Sequence, residues 1–161
     1  MNFTWLYVGV IYAAAVFLAR RAGVPLPRRI ALFFYALVLL FFWLPLTGPF
    51  INFQSDVLST LPPWRDTTRY HHQFTSELND LPLQIVPWAH QVRESWKSFQ
   101  LPLWNAAAGS GYPLLGNGQS SAFSLVRFLA LPLTLGRAIT AEGAFKILIA
   151  LTGAFLLCRR R

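Results

Sequence analysis

The groups with chemistry to offer crowd into the middle of this sequence. Asp56, Asp66, Glu77, Asp80 and Glu94 are five of its six acids, and all three histidines, His71, His72 and His90, lie among them. A positioned carboxylate can accept a proton during group transfer. His71-His72 beside Glu77 resembles the start of a metal-ligand set, but no further Cys or His follows at ligand spacing, so no metal ligands are assigned. Asp80 has a structural alternative: with Pro82 close behind, an aspartate suits the N-terminus of a helix. Asp56 and Asp66 read as turn residues. The run Gly109-Ser110-Gly111-Tyr112-Pro113-Leu114-Leu115-Gly116-Asn117-Gly118-Gln119 invites comparison with phosphate-cradling loops. Its spacing fits neither nucleotide-binding pattern and no strand precedes it, so a tight turn system is expected.

Apolar segments must position these groups. Of 161 residues, 55% are hydrophobic and only 12% charged, against roughly 25% charged in a soluble domain. That composition excludes a disordered tail, and a single cysteine excludes a disulfide scaffold. A spanning helix needs about 20 mostly apolar residues. Residues 1–19 carry no charge and are followed by Arg20 and Arg21, the reverse of a secretory signal's order. Residues 30–47 form a second apolar run behind Arg28 and Arg29, punctuated by Pro45, Gly48 and Pro49 at its far end. Residues 138–158 form a third, with Glu142 and Lys146 four apart on one face and Arg159–Arg161 at its end. Cys158 there reads as a small hydrophobe in a reducing compartment.

The link 20–29, with four arginines and no acid, and the tail 159–161 are cytoplasmic by the positive-inside rule. The N-terminus and residues 48–137 are then extracytoplasmic. The basic excess, 14 Lys plus Arg against 6 acids, thus reports topology, and no nucleic acid is expected. Ala122–Gly136 looks like a further span, but only nine uncharged residues separate Arg127 from Arg137. Nine helical residues reach about 14 Å, half the hydrocarbon thickness. The expected fold is an all-α polytopic membrane protein of about three spans, with a large outer loop carrying interfacial helices. Within that loop Ile85, Trp88, Val92, Trp96 and Phe99 form one helical stripe, with His90, Arg93, Glu94 and Lys97 opposite. Such a stripe either lies on lipid or packs on the protein itself.

The order Asp80-x-x-x-Gln84-x-x-Pro87-Trp88, then Leu101-Pro102-Leu103-Trp104-Asn105, Gly109-x-Gly111-Tyr112-Pro113-Leu114-Leu115 and Asn117-Gly118-Gln119 resembles bacterial YfhO-type membrane proteins. These look like the GT-C superfamily of polytopic glycosyltransferases. The resemblance covers residues 80–161. It departs at Ala106, where the family often has proline, and near Ser124-Leu125, where an aromatic–proline pair is usual. Family members are much longer, which makes this chain an N-terminal portion whose partners include the remaining helices.

The resemblance implies sugar transfer from a polyprenyl-phosphate donor to a cell-envelope acceptor at the outer face of the bacterial cytoplasmic membrane. By motif, Asp80 takes the catalytic position. A lipid phosphate leaving group calls for cations, offered by Arg93 and Lys97, with His90 as a further donor. Trp104 and Tyr112 are candidates to stack on a sugar ring, and Gln84, Asn105, Asn117 and Gln119 to hydrogen-bond its hydroxyls. The non-enzymatic alternatives are a lipid-carrier binding or transport component, and an inactive truncated fragment.

Overall fold

The computed structural model describes residues 2–24, 26–52, 56–63, 65 and 80–159. The chain is mostly helical and divides into two compact units, Met1–Asn52 with Pro132–Arg161, and Phe53–Leu131.

The first unit is built from α1 (Thr4–Arg21), α2 (Arg28–Phe41), α3 (Trp43–Thr47) and the long α6 (Leu135–Arg159). Among the described residues one helix, α6, with 25 residues, is long and apolar enough to cross a membrane. It starts ahead of the expected 138, and α1, α2 and α3 all pack on it. Its inward stripe is Ala138, Ala141, Ala144, Phe145 and Leu148, each buried. Small side chains at this spacing let helix backbones approach closely. Polar ties join the rods: the Tyr12 and Thr152 hydroxyls lie 2.9 Å apart, and Tyr35 Oη donates to the Trp5 carbonyl at 2.5 Å. Gly9 makes room for that tyrosine, since a Cβ there would lie 2.7 Å from Tyr35 Oη. Facing outward are Val10, Phe17, Leu18, Leu32, Phe33, Leu40, Phe41, Ile149 and Leu157, all more than half exposed.

The second apolar run is not one rod. It breaks at Phe42, where the backbone leaves helical geometry (φ −104°, ψ 22°). Pro45 explains this: it has no N–H to donate to the Phe41 carbonyl, and its ring crowds that group. The carbonyls freed beyond α3 find other donors. Asn2 Nδ2 reaches those of Pro45 and Gly48 at 3.1 and 2.8 Å, and Arg137 Nη1 reaches those of Pro45, Gly48 and Phe50 at 3.0, 3.1 and 2.9 Å. Asn2 also caps α1 through Oδ1, which accepts from Thr4 N at 3.0 Å.

The second unit runs through a 3-10 turn (Asp56–Thr60), a π turn (Leu81–Ile85), α4 (Val86–Lys97), a two-stranded antiparallel ribbon, another 3-10 turn (Gly118–Ser120) and the short α5 (Leu125–Leu129). The ribbon pairs Trp104 with Pro113 and Asn105 with Tyr112, so the expectation of a wholly helical fold needs that small correction. Its tip contains Gly109 and Gly111 at φ +57° and +86°, which makes the glycine run a hairpin turn. At Gly111 a Cβ would overlap the Trp104 indole, so both backbone and space demand glycine. Trp88, Val92, Leu114 and Ala122 form the core, with Ile85, Trp96, Tyr112 and Leu115 packed around them. The apolar stripe of α4 therefore packs on its own unit at Trp88 and Val92. Phe99 does not belong to it: the helix ends at Lys97, and Phe99 has φ +55° and is 97% exposed. Ala122–Gly136 is no span; five residues of helix follow Ser124, and the chain turns at Ala130.

Candidate functional site

Asp80 stands at the head of the π turn that leads into α4, exposed and with dihedrals already helical (φ −62°, ψ −29°). A residue inside the helix cannot fold its side chain over the first N–H groups, and it makes no capping bond. Its Oδ1 instead accepts from Gln84 Nε2 at 3.2 Å, one turn on. The widened turn is a consequence of Pro87, which lacks the N–H that would bond the Leu83 carbonyl. Val86 N reaches back to the Leu81 carbonyl instead.

Below this turn lies a cleft of about 460 Å³, within the second unit, between α4 and the ribbon. It is lined by Gln84, Trp88, Gln91, Asn105 and Tyr112 among apolar neighbours, and among the described residues no charged side chain lines it. The Trp88 indole N–H donates to Tyr112 Oη, fixing both aromatics at its wall. Asn105 is 2% exposed and its Oδ1 accepts from Ala107 N at 2.9 Å, which shapes the loop. Gln91 Oε1 is buried and, among the described residues, without a hydrogen-bond partner. An orphan buried acceptor costs roughly 1–3 kcal/mol, and a ligand hydroxyl would satisfy it. Gln91 was not among the sequence candidates. The signal was present, since it sits three residues after Trp88 on α4, but a lone glutamine without motif support carries none of its burial in its type.

The structure thus joins Gln84, Asn105 and Tyr112 in one cleft, with Asp80 hydrogen-bonded to its rim. It separates the others. Arg93, expected on the polar face of α4, is 1% exposed; Nη1 donates to the Ala130 carbonyl at 3.0 Å and Nη2 to that of Leu131 at 3.2 Å. The physical reason is the C-terminus of α5, whose bare carbonyls need donors; the long arginine stem crosses the core to supply them. His90 is exposed. Lys97 is exposed and pairs with Glu94 at 3.2 Å. Trp104 is 57% exposed, its indole against Gly111. Asn117 caps the 3-10 turn by accepting from Gln119 N at 3.1 Å, and the Gln119 side chain is exposed. Asp66, His71, His72 and Glu77 lie outside the described residues, and Asp56 opens the first 3-10 turn.

Among the described residues no three His, Cys, Asp or Glu side chains gather as a metal site. Comparison with protein-family models, with curated proteins and with solved structures finds no match. What fold and site define is a mostly helical chain with, among the described residues, one helix long and apolar enough to cross a membrane, and a unit holding an amide-lined cleft.

Proposed function

We propose that the chain is the N-terminal part of a GT-C-like membrane glycosyltransferase, of the YfhO type, that handles a polyprenyl-phosphate sugar at the outer face of the bacterial cytoplasmic membrane. The observation that carries this reading is the cleft itself. It offers neutral amides, one of them the orphan Gln91 acceptor, beside a fixed Trp88–Tyr112 pair. Sugars present hydroxyls and apolar C–H faces, and that combination suits them. The exposed apolar faces of α1 and α2 support a lipid-embedded first unit of three rods. The arginine link 20–29 then lies inside and the second unit outside.

In this scheme the acceptor oxygen attacks the anomeric carbon, the bond to the lipid phosphate breaks with its electron pair, and Asp80 takes the acceptor proton. Gln84, bonded to Asp80 Oδ1, orients the carboxylate. Lys97, exposed on α4, is left as the phosphate's cationic contact, with His90 beside it as a further hydrogen-bond donor, because Arg93 is committed to the core. A second reading, carrier binding without transfer, is favoured by a cleft wall that, among the described residues, is made of neutral amides and aromatics.

Envelope glycan from cells carrying the full gene tests both. With Asp80→Asn, transfer falls at least about 100-fold, the scale of a lost general base, while Gln91→Leu weakens substrate binding. Unchanged glycan with Asp80→Asn sinks the enzymatic reading. Unchanged binding with Gln91→Leu as well sinks both.

A further inference from the structure

A second concavity lies within the first unit, far in chemistry from the amide-lined cleft. It is a groove of about 300 Å³ between α1 and α2, walled by Gly9, Ala13, Val16, Phe17, Ala31 and Leu32. Arg20 and Arg28 line it as well, one from the last turn of α1 and the other from the first of α2. Because the helices run antiparallel through the short link, these two guanidinium groups share one end of the groove. Arg20 Nε donates to the Leu26 carbonyl at 2.9 Å, which holds the side chain there; among the described residues its Nη groups have no partner and are left to a ligand.

An apolar trough with two arginines at one end, one of them held by its bond to Leu26, has the charge and polarity of one kind of molecule, an anionic amphiphile. From these positions we infer a binding site for an anionic glycerophospholipid, acyl chain along Ala13, Phe17 and Leu32, phosphate between Arg20 and Arg28. Guanidinium forks hold phosphate bidentately, and basic pockets between helices on the cytoplasmic side suit such headgroups. Ala13 keeps the trough open on the α1 side, and Ala31 on the α2 side. The site rests on the membrane-embedded reading of α1 and α2, and on no part of the sugar chemistry.

The test is lipid retention by the full chain purified in detergent, read by native mass spectrometry after incubation with phosphatidylglycerol or phosphatidylcholine. Phosphatidylglycerol should be retained preferentially. Arg28→Gln should lower its retention about tenfold, the scale of one lost charge-assisted contact. Arg29→Gln removes the same charge from outside the groove and should leave retention unchanged. Ala13→Trp, which fills the trough, should lower it with both arginines intact, and glycerol phosphate without acyl chains should not compete. Equal loss with Arg28→Gln and Arg29→Gln, equal retention of the two lipids, or competition by glycerol phosphate would each overturn the site. Release of the chain from membranes by alkaline carbonate would instead overturn the embedded reading beneath it.

Discussion

Replacing Arg93 separates a structural arginine from a phosphate-binding one. The side chain is 1% exposed and its two Nη groups donate to main-chain carbonyls at 3.0 and 3.2 Å. Hydrogen bonds from a charged donor contribute about 1.5–3 kcal/mol each. Arg93→Ala removes two, strands both carbonyls beside the core and deletes the stem's packing, while recovering the desolvation cost of a buried charge. The net loss should be about 2–4 kcal/mol. For a unit of this size that is roughly 10 °C or more in Tm. Trp88 and Trp96 flank Arg93 on α4, so tryptophan emission during thermal unfolding in detergent reports the loss directly. Arg93→Lys, which keeps the charge but not the fork, should be almost as damaging. If Arg93→Ala left the transition unmoved and abolished binding of lipid phosphate, the core assignment would be wrong and the polar-face assignment restored.

Gly111→Ala should destabilise the ribbon by about 1–2 kcal/mol for the left-handed backbone alone, and it should shift Trp104 emission because the methyl group meets the indole. Lys97→Ala should change stability by less than about 1 kcal/mol, since its pair with Glu94 is solvent-exposed; calorimetry checks this. Arg137→Gln should loosen the end of α3, whose carbonyls it holds, and lower resistance of the first unit to SDS by a clear step. Gln91→Leu, which keeps the volume and removes the orphan oxygen, should leave Tm unchanged or raised while weakening retention of a polyprenyl-phosphate sugar.

Helix positions were legible wherever period and length agreed. Thr4–Arg21 and Leu135–Arg159 follow from apolar runs ended by arginines, and α4 from the spacing of Trp88, Val92 and Trp96. That residues 122–136 do not span was legible as well, because Arg127, Pro132 and Arg137 leave too little apolar length; the short helix α5 within them was not. The break at Phe42 was written in Pro45, but its effect falls three residues upstream, and the proline was read as a terminus. Arg93 could not be read. Its position on the helical wheel is polar, and what buries it is the set of bare carbonyls at Ala130 and Leu131, a tertiary demand from a helix almost forty residues away. Asn105 and Asn117 turned their side chains to neighbouring backbone N–H groups, the ordinary habit of asparagine in loops. Gln91 acquires its meaning only when α4 meets the ribbon and closes a cleft over it.

The central claim is that the second unit lies outside the cytoplasm, where lipid-borne sugar can reach Asp80. Ser98, exposed at the end of α4, is the place to ask. With the exposed native thiol Cys158 changed to serine, Ser98→Cys should react with a membrane-impermeant maleimide in cells whose cytoplasmic membrane is intact. Labelling that appears only after that membrane is opened would contradict the account.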